Sequence, residues 1–98
     1  MTTKLRRTRG SGNVFVDLGF PKDEAENLKL RSVLIMRVED FYRRSGLTQA
    51  EGAKRLGITQ PRLNALLKGK TDLFSLDALV NMLAKAGMSV EIRVKKAA

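Results

Sequence analysis

A mainly α fold is what this 98-residue sequence predicts: a bundle of about four helices built around a helix-turn-helix, closed by a short C-terminal β-strand. Three observations predict it. Residues 47–70, LTQAEGAKRLGITQPRLNALLKGK, read as two short helices joined by a turn that contains glycine. Apolar residues recur at helical spacing on either side of that unit, as Leu30, Leu34, Val38 and Phe41 before it and as Leu76, Leu79, Val80 and Leu83 after it. The chain then closes with Met88, Val90, Ile92 and Val94 alternating strictly with polar residues, the pattern of a half-buried strand. A hydrophobic fraction of 43% suits one modest core, and so one domain.

In chain order, residues 1–12, MTTKLRRTRGSG, are polar and basic, with too little apolar surface to offset the entropy of ordering. A disordered tail is expected there, and basic arms of this kind can reach a neighbouring minor groove. The domain then runs over residues 13–98. Asn13 to Phe20, NVFVDLGF, is rich in Val and Phe and closed by Gly19 and Pro21, which suits a brief strand or an extended segment lying against the core. Asp23 and Glu26 have the three-residue spacing of a helix cap, and Leu28, Ile35 and Tyr42 widen the Leu30 to Phe41 stripe, so a helix is expected over 24–45, ending at Ser45-Gly46. That stripe reads as core, although the neighbourhood of Ile35 and Met36 would also serve a partner.

Thr48 and Glu51 have the spacing of a capping box and start the next helix, which Gly57 ends through a left-handed backbone. Thr59 caps a second short helix, Pro61 sits in its first turn where no donor is lost, and Gly69 stops it. Thr71 to Phe74 is a loop with two apolar side chains tucked under the domain, after which Ser75 caps the last helix and Gly87 ends it. A single terminal strand cannot satisfy its backbone. It must pair with Asn13 to Phe20, with its own copy across a dimer axis, or with another protein.

Composition narrows function. The chain has no cysteine and no histidine, which excludes disulfides, thiolate and imidazole metal ligands, and Ser-His or Cys-His catalysis. Asp17, Asp72 and Glu91 are scattered carboxylates without paired spacing, so no enzyme and no cofactor are expected. No apolar run is long enough to span a membrane, and no signal-peptide core follows the basic start, so a cytoplasmic location without membrane contact is expected. The formal charge is +9, and its distribution is uneven: residues 43–70 hold seven basic side chains against Glu51 alone, or +6, whereas residues 10–42 carry −2. Basic charge gathered on one element is the electrostatic footprint of a phosphate backbone.

A helix-turn-helix fits duplex DNA because its second helix enters the major groove while the first braces it on the backbone. At about 100° per residue, Leu63, Leu66 and Leu67 fall on one side of the second helix and Pro61, Asn64, Ala65 and Lys68 on the other. Gln60 and Asn64 carry amides able to hold adenine in a bidentate contact, and Pro61 and Ala65 offer apolar contact to thymine methyls. Arg62 and Lys68 suit phosphate, as does Gln49 at the positive end of the bracing helix.

The segment from Leu47 to Asp72 resembles the helix-turn-helix of the phage repressor and Cro family, also called XRE. The likeness is carried by Gln49 opening the first helix, Ala53 at the helix crossing, Gly57 in the turn, Thr59-Gln60 opening the second helix, the Leu63/Leu66 pair, and Gly69-Lys70. NVFVDLGF, FSLDALVNMLAKAG and the final VEIRV are similar to the small antitoxin branch of that family, the HigA type, over roughly residues 13–94. The resemblance implies a dimer that binds an inverted-repeat operator, represses its own operon, and in many members also neutralises a small ribosome-dependent ribonuclease toxin. It implies DNA contacts from Gln49, Thr59, Gln60, Pro61, Arg62, Asn64, Ala65 and Lys68. An alternative reading makes the chain chiefly a protein-interaction module that masks a toxin, with weak DNA binding. Gly52 departs from the family's usual larger residue, which weakens its helix by about 1 kcal/mol relative to alanine and points to close contact there.

Overall fold

The computed structural model describes residues 13–96, so the expected basic tail at 1–12 lies outside the described residues. The described chain folds as α1 (Val14–Asp17), α2 (Lys22–Ser45), α3 (Gln49–Leu56), α4 (Gln60–Leu67), a 3-10 turn (Thr71–Leu73) and α5 (Leu76–Lys85). Among these residues no helix is long and apolar enough to cross a membrane.

The strand expected at Asn13 to Phe20 is instead the single helical turn α1. The reason is the Asn13 side chain. Its carbonyl oxygen accepts from the Phe15 amide at 2.9 Å, capping the turn, while its amide donates to the Ala25 carbonyl at 3.1 Å and the Glu26 carboxylate at 3.0 Å. Asn13 is thus buried and fully occupied, and this local capping overrides the β preference of its valine and phenylalanine neighbours.

The long helix α2 begins two residues earlier than its sequence suggests. Pro21 stands at its N-cap without a side-chain cap, so the expected Asp23 cap does not form; Asp23 lies within the first turn with Glu24, where negative charge complements the helix dipole. Arg43 and Arg44 in the last turn do the same at the other end, pairing with Glu39 at 3.5 Å and Asp40 at 3.0 Å. These exposed pairs add little stability. Gly46, at φ 73°, turns the chain toward α3.

The core gathers Ile35 and Val38 of α2, Ala53 and Leu56 of α3, Leu63 and Leu66 of α4, Leu79, Met82 and Leu83 of α5, and Phe74 from the loop before α5. Packing is most extensive between α2 and α5 and between α3 and α4, so α2 and α5 form the support on which the α3–α4 pair sits. Phe74 is fully buried, whereas Leu73 beside it is half exposed, so one of the two apolar loop side chains tucks under the domain. Leu30, expected within the core stripe, is 41% exposed, and Leu76 and Val80 are only partly buried, whereas Met82 joins Leu79 and Leu83 in the core.

The expected C-terminal strand is not formed. Residues 88–96 form neither helix nor strand, and among the described residues no backbone hydrogen bond involves 89–96. The alternation is nonetheless real in its packing near the start: Met88 and Val90 lie against the core, while Ile92 and Val94 are exposed. With Val14–Asp17 taken up in α1, the described residues contain no neighbouring strand for the segment to pair with.

Candidate nucleic-acid interface

The local chemistry that defines α3 and α4 is formed as their sequence requires. Thr48 caps α3: its hydroxyl accepts from the Glu51 amide at 3.2 Å, and the Glu51 carboxylate accepts from the Thr48 amide at 3.0 Å and from its hydroxyl at 3.1 Å. The backbone bond from Thr48, and then its hydroxyl, hold the Glu51 carboxyl below its ordinary value of 4.5. A carboxylate whose folded-state pKa is depressed stabilises the fold above its unfolded value and loses that contribution as pH falls through the folded value. The melting temperature of the wild type is therefore expected to exceed that of Glu51→Gln at pH 7, with the gap closing as pH falls below 4.5. A gap that stays constant down to pH 3 would count against the capping role.

Gly57 then ends α3 at φ 72°, donating to the Ala53 and Lys54 carbonyls, and two residues later Thr59 caps α4 by accepting from the Arg62 amide at 3.3 Å. The turn is fixed from both sides. Pro61 lies in the first turn of α4 as expected. Leu63 and Leu66 face inward and are buried, which leaves the opposite side of α4 outward.

Of the residues the sequence singles out, Gln49, Gln60, Pro61 and Asn64 come together around one shallow, open depression of about 390 Å³ between the N-terminal ends of α3 and α4. Two amides from α4, one from α3 and a proline ring thus share a surface to which both helices turn their positive ends. Thr59 is exposed beside Gln60, Ala65 is partly buried, and Lys68 is exposed at the C-cap of α4, where Lys70 follows in the loop. Arg62 is placed differently. Its guanidinium lies 4.8 Å from the centroid of the Phe74 ring and donates to the Leu73 carbonyl at 3.3 Å, which ties α4 to the loop that follows it. In this arrangement Arg62 braces the helix and is not part of the depression.

A second basic surface was not legible beforehand. Lys54 and Arg55 of α3 and Lys85 of α5 line an open cleft of about 610 Å³ with Glu51 and Gly57. Lys85 reaches this cleft only because α5 packs behind α3, and no spacing in the sequence signals that. The guanidinium of Arg55 lies 5.7 Å from the centroid of Phe41. Gly52, buried in α3, meets the expectation of close contact: a Cβ there would lie 2.7 Å from Cδ1 of Tyr42 and 3.4 Å from Cδ2 of Leu63.

A family model described as "Helix-turn-helix domain" matches residues 14–95, nearly the whole described chain. The chain belongs to the helix-turn-helix domain family. No curated protein matches it. Within this helix-turn-helix domain the α3–turn–α4 unit occupies residues 48–68, with α2 and α5 as its scaffold, and membership points to a DNA-binding regulator. Among the described residues no group of three or more acidic side chains is arranged to hold a metal ion.

Proposed function

We propose that this helix-turn-helix protein is a sequence-specific DNA-binding transcriptional repressor that acts as a homodimer on an inverted-repeat operator and needs no cofactor. The observation that carries the reading is the shared surface of Gln49, Gln60, Pro61 and Asn64 at the exposed ends of two capped helices. In this reading α4 enters the major groove, Gln60 and Asn64 read base edges, and Pro61 and Ala65 meet thymine methyls. Gln49, Thr59 and Lys68 hold phosphate. Arg62 contributes by bracing α4 against Phe74, with its charge close to the backbone. Direct readout is narrow on such a surface, so DNA shape supplies part of the specificity.

The experiment that tests the reading is a salt titration on two duplexes, one recovered by selection from a randomised 20-base-pair pool and one scrambled. Lys68→Ala is expected to weaken binding to both alike and to reduce the slope of log K against log salt by about 0.9, the effect of one phosphate contact. An unchanged slope would remove Lys68 from the interface.

The likeness of residues 13–94 to HigA-type antitoxins extends the proposal to autoregulation of a toxin–antitoxin operon, with a small ribonuclease toxin as second partner. Co-purification of this chain with the product of an adjacent short reading frame, and relief of that product's toxicity, would support it. An adjacent frame whose product neither binds nor harms cells would leave the repressor alone.

A further inference from the structure

The open cleft of about 610 Å³ beside α3 holds three cations, Lys54, Arg55 and Lys85, and one acid, Glu51. All three cations are exposed, and among the described residues none of them forms an ion pair. Glu51 offers them little, because its carboxylate already accepts from the Thr48 amide and hydroxyl.

These cations stand in the last turns of α3 and α5, where they complement the carbonyl ends of both helices. That role alone would leave them solvated and free to rotate. Two of the three are instead laid in place. The Arg55 guanidinium lies 5.7 Å from the centroid of Phe41, a contact through the faces of both groups that leaves its N–H donors unspent. Lys85 lies across the turn at Gly57, where a Cβ would meet the lysine stem and stand 3.1 Å from Nζ. Gly57 thus serves twice, once through its φ of 72° and once through the space it leaves to Lys85. Side chains ordered beforehand lose less entropy when they bind.

No residue lines both this cleft and the depression of Gln49, Gln60, Pro61 and Asn64. At about 100° per residue, Glu51, Lys54 and Arg55 stand about 120–160° around α3 from Gln49. A duplex seated on Gln49, Gln60 and Asn64 therefore leaves the cleft open.

The lining selects the occupant. Three cations call for anionic groups, and the planar fork of Arg55 suits a carboxylate held at two points. A continuous run of phosphates would bring like charge against Glu51, whereas a peptide can set carboxylates on the cations and a neutral residue beside Glu51. Leu47 and the lysine stems give such a peptide apolar contact. We propose that this cleft docks an acidic segment of another protein, one that alternates carboxylates with small or apolar residues, while α4 stays free for DNA. The docking goes beyond the repressor reading and does not depend on it.

The test uses the full chain and a capped ten-residue peptide that alternates glutamate and alanine. NMR titration at physiological ionic strength is expected to give saturable shifts centred on Glu51, Lys54, Arg55, Gly57 and Lys85, and none with the glutamine counterpart of the peptide. Lys54→Glu and Lys85→Glu are each expected to weaken the peptide at least tenfold. Lys29→Glu, which changes the net charge equally from an exposed position on α2, should weaken it less than threefold. All three positions are exposed, so each variant should keep the wild-type melting temperature to within a few degrees. With a selected duplex bound, the peptide should still shift the same residues. No saturable shift, shifts centred on Gln49, Gln60 and Asn64, or equal losses in Lys29→Glu and Lys85→Glu would each overturn the proposal. So would inorganic tripolyphosphate or the duplex taking the peptide's place on Lys54, Arg55 and Lys85, since the cleft would then be a phosphate surface. A peptide that fails to bind while the duplex still shifts Gln49, Gln60 and Asn64 removes the docking site and leaves DNA binding by α4 intact.

Discussion

Replacing Gly52 by leucine is expected to cost about 2 kcal/mol of folding stability, measured by denaturant unfolding. Leucine gains about 1 kcal/mol of intrinsic helix preference over glycine. Packing decides against it. The first added atom alone would stand 2.7 Å from Cδ1 and 2.9 Å from Cε1 of Tyr42, inside van der Waals contact, and the rest of the side chain has only Leu63 and the core to enter. Overpacking of this kind typically costs about 1–3 kcal/mol, and the ring it meets is anchored on α2, so relief requires Tyr42 or α3 to shift. Pairing Gly52→Leu with Tyr42→Ala should recover part of the loss, because the ring is the obstacle. If Gly52→Leu is neutral or stabilising, α3 does not approach α2 as closely as described. A shift of α3 carries Gln49 away from Gln60, so the variant is also expected to lose specific DNA affinity while remaining folded at low temperature.

The second large effect concerns the depression between α3 and α4. Gln60→Ala/Asn64→Ala is expected to lose about 3 kcal/mol of affinity for a duplex selected from a randomised 20-base-pair pool, more than a hundredfold, and much less for a scrambled duplex. Each bidentate amide contact to adenine contributes about 1–3 kcal/mol of discrimination, and phosphate contacts contribute none. Both residues are solvent-accessible and line the open depression, so stability should stay within about 0.5 kcal/mol. Competition binding on the two duplexes measures the difference. Equal losses on both would mean that the amides position the protein and do not read bases.

The contrast between these two sites shows what was legible in the sequence. Thr48 with Glu51, Thr59 with Pro61, and Gly57 act through bonds that span a few residues, so spacing alone located α3, α4 and the turn. The inward Leu63 and Leu66 then left Gln60 and Asn64 outward by helical geometry. The close approach at Gly52 was legible only as an unfavourable residue in a helix; that Tyr42 occupies the space depends on how α2 crosses α3.

Other features depended on partners far along the chain. Asn13 to Phe20 has strand composition, yet Asn13 finds Ala25 and Glu26 and bends the segment into a helical turn. The stacking of Arg62 on Phe74 depends on a later loop coming within its reach, which no spacing around Arg62 signals. The basic cleft of Lys54, Arg55 and Lys85 needs α5 to pack behind α3 before it exists. The terminal alternation correctly marked Met88 and Val90 as inward, but a ladder needs a second strand, which nothing within residues 13–96 supplies.

DNA binding is assigned to α3 and α4 through the surface between their N-termini. An amide-resolved NMR titration of the full chain with a selected 20-base-pair duplex addresses it most directly, because each residue reports separately. The expected result is a set of shift changes centred on Gln49, Thr59 to Asn64 and Lys68 to Thr71, with α5 little affected. Changes centred instead on Lys54, Arg55 and Lys85, with Gln49, Gln60 and Asn64 unmoved, would contradict it.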